Sequence, residues 1–217
     1  MSVPEAKLAA VQALIQKGQL AQAEAGALRL AQQFPRSPAA AGAVRLVSLC
    51  RQQFAKAVYW GQRQVELDPG DAQARADLAR MHMYAGSGER AVDLLREVVA
   101  STPDDPHLAQ MLCDTLVECK RFVEAEHAAR AALVLHPHYA PLHMQLANAL
   151  RDQGRAKDAS DVLQGLLREA PGDADLASYL ATSTNYEHPC DPARVLAAHV
   201  NFGRLLEMAD FTPAFKH

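Results

Sequence analysis

Apolar residues in this chain recur at intervals of three and four, the spacing of one face of an α-helix. Nowhere do they alternate with the period of two that marks a strand. Leu112 and Leu116 stand one turn apart, as do Leu146 and Leu150. Alanine and leucine dominate, β-branched residues are few, and the pattern predicts an all-α chain.

The helical pattern is itself periodic. Pro35, Pro69, Pro103, Pro137 and Pro171 follow one another at intervals of 34 residues. Ala23, Ala57, Ala91, Ala125 and Ala159 keep the same interval, each twelve residues before its proline. Gly18, Gly86 and Gly154 share a third column, completed by Gln52 and Lys120. A proline forces the residue before it out of helical backbone, so each of those prolines ends a helix. An alanine at a fixed place lets two helices approach closely.

With the proline set at position 32 of each repeat, repeats occupy residues 4–37, 38–71, 72–105, 106–139 and 140–173. Positions 4, 7, 8 and 11 form one face of the first helix, helix A. Position 7 reads Ala10, Val44, Leu78, Leu112 and Leu146; position 11 reads Leu14, Ser48, His82, Leu116 and Leu150. Positions 20, 24 and 27 form the matching stripe of helix B, as in Ala125, Ala129 and Ala132. Ser37, Asp71 and Asp105 are placed to cap the helices A that follow them.

The 34-residue period with alanine and proline in those columns resembles the tetratricopeptide (TPR) repeat, and the resemblance covers nearly the whole chain. It implies a solenoid of about six antiparallel helix pairs in a right-handed superhelix, with a concave groove that holds polypeptide. The tryptophan and tyrosine columns of that family are not kept.

The sixth copy is atypical. Residues 174–208 keep the phase, with Leu180, Ala181 and Ala193 in column, but Leu205 replaces the terminating proline. Asp191 and Pro192 suit the start of a helix over 192–208, expected to turn Leu196, Val200 and Leu205 inward. Residues 209–217 read as a tail or the start of a linker. The stretch LATSTNYEHPCDPARVLAAHVNFG, residues 180–203, resembles the junction between the TPR array and the catalytic region of bacterial Spindly-like O-linked N-acetylglucosamine transferases. Asn185, Tyr186, Asp191, His199, Phe202 and Gly203 carry that resemblance. It implies a TPR region that serves a glycosyltransferase, with no catalytic residue in the chain itself. An ordinary capping repeat, and hence a stand-alone adaptor that assembles a complex, is the alternative.

On an ideal helix, positions 2, 6, 9 and 13 of helix A lie about 180° from positions 7 and 11, away from helix B. The resemblance makes this stripe the groove lining. Candidate peptide-binding residues are Asp77, Arg80, Tyr84, His107, Met111, Asp114, Glu118, Gln145, Asn148 and Asp152. Amides and carboxylates can hydrogen-bond a peptide backbone, and the excess of acids favours an extended segment with basic character. In the second repeat the stripe is apolar (Ala39, Ala43, Leu46, Cys50), a candidate homodimer surface around Leu46.

A formal net charge of −3 argues against a protein built around nucleic acid. No run of 18 apolar residues predicts a membrane span, and the first residues do not read as a signal peptide. Cys50, Cys113, Cys119 and Cys190 form no C-x-x-C pair and read as thiols of a reducing, cytoplasmic compartment. His136, His138 and His143 cluster in sequence without metal-ligand spacing, as do His188, Cys190 and His199. No phosphate loop, dinucleotide fingerprint or nucleophile elbow occurs, so neither cofactor nor catalysis is expected.

Overall fold

The computed structural model describes residues 3–208, and among them every regular element is an α-helix. The helices A are α1 (Glu5–Gln16), α3 (Pro38–Cys50), α5 (Ala72–Tyr84), α7 (Pro106–Glu118), α9 (Ala140–Asp152) and α11 (Ala174–Thr184). The helices B are α2 (Leu20–Gln33), α4 (Phe54–Leu67), α6 (Gly88–Ser101), α8 (Phe122–Leu135), α10 (Ala156–Glu169) and α12 (Pro192–Met208).

Each boundary has a local cause. Ser37, Asp71 and Asp173 accept hydrogen bonds from the backbone N–H three residues on, at 3.4, 2.9 and 2.9 Å. Asp105 accepts from His107 N at 2.9 Å. The residue before each column proline leaves helical backbone, from Phe34 (φ −128°, ψ 63°) to Ala170 (φ −127°, ψ 68°). The third column explains the three-residue turns inside the repeats. Gly18, Gly86 and Gly154 have φ of 71°, 77° and 80°, and Gln52 and Lys120 are held at 57° and 59° in the same left-handed region. In each turn that residue's N–H bonds back three residues and the next N–H bonds back five. Gly18 donates to Ile15 O and Gln19 to Leu14 O, both at 2.9 Å. This closes the end of helix A and turns the chain straight into helix B.

The chain forms two compact units, up to Met111 and from Leu112 on. In the first, α2 packs between α1 and α3, and α4 between α3 and α5, with α6 against α5. In the second, α9 packs on α8, α10 on α9, α11 on α10 and α12 on α11. The column alanines Ala23, Ala57, Ala91, Ala125 and Ala159 are all 0% exposed, so in the first five repeats the seam is closed to water at this column. Val44, Leu78, Leu112, Leu146, Leu116 and Leu150 are buried as expected.

Two expectations of register fail. Ala10 is exposed, and α1 buries Val11 instead, with Leu14 half-buried. Helix α1 begins at Glu5 after Pro4 and packs on α2 and α3, so among the described residues no preceding helix B covers the column that the inner helices bury. In α12, Leu196 and Val200 are 65% and 50% exposed; only Leu205 is half-buried, and Ala198 is the buried residue. The cause lies in TNYEHPCDP. Helix α11 stops at Thr184 without the left-handed turn, and seven residues, 185–191, precede α12. Helix α12 therefore begins two residues later in the repeat than its counterparts and turns a neighbouring stripe, Arg194, Ala198, Asn201 and Leu205, toward the rest of the unit. Ala193, although in the alanine column, is exposed.

Candidate functional site

None of the ten candidate residues is buried; Asp77, Met111, Asp114, Gln145 and Asn148 are half-buried and the other five are exposed. In the first unit, Asp77 is surrounded by donors. Arg45 Nη2 approaches its Oδ2 at 2.8 Å, Gln73 Nε2 its Oδ1 at 3.3 Å, and Arg80 pairs with the same Oδ1. Arg45 comes from the preceding helix A, where Gly61 leaves room for its stem: a Cβ on Gly61 would stand 3.2 Å from Arg45 Cδ. The acidic excess expected here is therefore neutralised by Arg45 and Arg80 together. Arg45 stands at position 8 of its repeat, on the stripe that faces helix B, and the glycine opposite it is the sequence signal that its side chain extends further. Tyr84, 52% exposed, lies against Phe54 with ring centroids 5.7 Å apart.

Between α1 and α3 the same face opens a cleft of about 250 Å³, lined by Leu8, Val11, Ile15, Ala39, Ala43 and Leu46 among others. Three of the four apolar residues expected around Leu46 thus meet at one cleft, while Cys50 lies outside it, exposed.

Helix α7 carries His107 and Glu118 exposed or half-buried at its two ends, with Met111 and Asp114 half-buried between them. On α9, Gln145, Asn148 and Asp152 project from one face at spacings of three and four, exposed or half-buried. Among the described residues neither Gln145 nor Asn148 makes a side-chain hydrogen bond, whereas Asp152 lies 3.5 Å from Arg151 Nε. Two amides with donors and acceptors available thus stand on a rigid helix.

The histidines of LHPHYAPLH have structural partners. His143 Nε2 lies 2.7 Å from Pro137 O, and His138 Nδ1 lies 3.4 Å from Glu169. Cys113 is buried and its thiol is pushed up to about 12 by burial and by Asp114, which makes it a small core side chain. The resemblance residues of the cap are also in use locally. His199 Nε2 lies 3.2 Å from Asn185 Oδ1, joining α12 to the end of α11, and Asp191 accepts from Ala193 N and Arg194 N at 3.0 and 3.3 Å. No helix among the described residues is long and apolar enough to cross a membrane.

A tetratricopeptide repeat family model matches residues 51–114 and 116–182. Among solved structures, a tetratricopeptide repeat protein from Parabacteroides merdae is similar over 94% of this chain and 78% of its own, with TM-score 0.73 and 13% identity. MamA from Desulfovibrio magneticus is similar over 80% and 96%, with TM-score 0.62 and 14% identity. A thermophilic TPR protein from Thermus thermophilus is similar over 82% and 97%, with TM-score 0.57 and 19% identity. No curated protein sequence matches the chain. Those likenesses concern the fold, and the family match spans more than half of the residues: the chain belongs to the tetratricopeptide repeat family.

Proposed function

We propose that the protein is an interaction scaffold whose helix-A face docks an extended polypeptide. The observation that carries this reading is the pair Gln145 and Asn148, held on α9 with no side-chain hydrogen bond among the described residues. Amides in that state gain most from a partner that supplies backbone N–H and C=O groups. Asp152 on the same stripe faces one arginine, Arg151 at 3.5 Å, and keeps acceptor capacity for a basic segment, whereas two arginines close on Asp77. The cleft beside Leu46 in the first unit is a second place for apolar side chains, either of the same kind of ligand or of another copy of the chain.

The finer reading is that the docked polypeptide is the substrate of a cytoplasmic O-linked N-acetylglucosamine transferase of the Spindly-like type, to which this TPR region belongs. The resemblance of residues 180–203 supports it. A reading frame continuing past His217 into a sugar-nucleotide-binding α/β region is the outcome expected; a stop codon there would favour the stand-alone adaptor. Docking itself is tested by titrating lysine-bearing and glutamate-bearing extended peptides against the wild type and Asn148→Ala. Preferential, Asn148-dependent binding of the lysine peptide is expected, and equal binding by both proteins would refute the assignment.

A further inference from the structure

The helix-B face of the second unit carries a groove that docking on the helix-A face does not use. It runs between α8 and α10, encloses about 710 Å³, and has Leu146 of α9 at its floor. Its walls include Leu133, Val134 and Val162.

Two residues that open this groove are out of character for their columns. Val134 occupies a surface column filled by Gln32, Glu66, Ala100 and Arg168 in the other regular repeats and by Phe202 in the atypical sixth, and it is 80% exposed. Gly165 lies inside α10 in a column that otherwise holds Arg29, Arg63, Glu97, Ala131 and, in the sixth copy, His199. Glycine inside a helix is unfavourable relative to alanine, and here nothing in the fold demands it. A Cβ at Gly165 would meet no atom within 4 Å, and its φ is not left-handed. What the missing side chain provides is an open floor, where another backbone can come close.

The charges around the groove indicate what kind of chain would enter. Asp161 is held by Lys157 at 2.9 Å and Arg194 at 2.6 Å, Glu169 faces His138 at 3.4 Å, and Arg130 is paired with Glu126 at 3.0 Å. Arg168 lines the groove, is exposed, and has no carboxylate partner among the described residues. The groove therefore offers apolar walls, a gap at Gly165 and one uncompensated guanidinium among the described residues.

We propose that this groove is a second docking site, separate from the helix-A face, for an amphipathic helix of a partner protein. Its apolar stripe lies over Val134 and Gly165, and one of its carboxylates meets Arg168. The scaffold would then hold two partners at once on opposite faces of the same repeats.

The test is fluorescence anisotropy with a labelled helical peptide of about fourteen residues, leucines along one face and glutamates beside them, and a twin with lysines for glutamates. The wild type is expected to bind the glutamate peptide in preference. Gly165→Gln restores a long side chain and improves helix propensity, and Val134→Gln copies the first repeat, so both variants should fold. Each is expected to weaken binding at least about tenfold, and Arg168→Glu to reverse the preference toward the lysine peptide. Asn148→Ala should leave this binding unchanged, which keeps its outcome apart from that of the helix-A face. Absence of binding, equal binding of both peptides, or indifference to Gly165→Gln and Val134→Gln would overturn the proposal. So would a wild-type dimer in sedimentation that Val134→Gln dissociates, since the occupant would then be a second copy of this chain.

Discussion

Arg155 Nη1 donates a hydrogen bond to Glu126 Oε2 across 2.9 Å, tying the start of α10 to the middle of α8. Glu126 is only 8% exposed and also accepts from Arg130 Nε and Gln153 Nε2, each at 3.0 Å. Burial pushes its carboxyl up, but the hydrogen bonds from Gln153, Arg130 and Arg155, with the charge of Arg155, outweigh burial and leave it below its ordinary value of 4.5. The unfolded chain then binds the proton more readily, so this contribution is complete above that ordinary value and is lost as pH falls through the folded one. Glu126→Ala is expected to cost ~1–3 kcal/mol in urea unfolding at pH 7. The gap to wild type should narrow as pH falls below that ordinary value; a gap that stays constant on acidification would contradict the assignment.

His82 sits half-buried in the seam position that holds Leu116 and Leu150 in later repeats. Burial, and secondarily Arg90, lowers its pKa below 6.5. Between the two values the unfolded chain carries more protons than the folded one, so stability is full above about pH 6.5 and declines as pH falls toward the folded value. Carboxylates such as Glu126 titrate lower, so the window for this histidine lies below about pH 6.5 and above the carboxylate range. His82→Leu should raise stability at pH 7 by ~1–2 kcal/mol through added apolar burial and flatten the melting temperature across that window. An unchanged slope would assign the effect elsewhere.

The parts of the fold that depend on a strict spacing could be read from sequence, and the parts that depend on side-chain reach could not. Alanine recurring at 34 residues has one physical use, a close helix contact, and the five alanines are fully buried. The left-handed role of the glycine column was obscured because Gln52 and Lys120 stand in it. The inward face of α12 differs from expectation because column arithmetic assumes a constant turn, and residues 185–191 break that assumption. On the candidate face, 100° per residue predicts a stripe, but Arg45, at position 8 of its repeat, reaches Asp77 in the next repeat because its side chain is long. The groove beside Gly165 was legible only by comparing surface columns, where a missing side chain leaves no hydrophobic signal.

Gln52 and Lys120 hold φ of 57° and 59° in turns where three other repeats use glycine. A non-glycine residue there crowds its Cβ against the following carbonyl, a cost of ~1–2 kcal/mol, part of which glycine's greater unfolded-state freedom takes back. Gln52→Gly and Lys120→Gly should each stabilise by ~0.5–1 kcal/mol, approximately additively because they lie in separate turns. Denaturant titration of the two single variants and the double variant checks this. Destabilisation by either would mean that its side chain makes a contact outweighing the strain.

Arg194 holds the atypical turn in place. Its Nη2 donates to Asp161 Oδ1 of α10 at 2.6 Å, while Nε stands 3.1 Å from Glu187 Oε1, off hydrogen-bonding geometry. The Glu187 side chain is only 4% exposed, so Arg194 supplies the positive charge beside a carboxylate that water hardly reaches. Asp161 keeps Lys157 if Arg194 is removed, whereas Glu187 is left without a cation among the described residues. Arg194→Met should therefore cost ~3–5 kcal/mol, the penalty of stranding a buried charge, and Glu187→Gln in the same chain should recover much of it. Because the pair joins residues 185–191 to α12, the loss should appear first as faster amide hydrogen exchange in α12, with α9 and α10 still protected. If the double variant were as unstable as Arg194→Met alone, the arginine's contact with Asp161, and not Glu187, would be what anchors the cap.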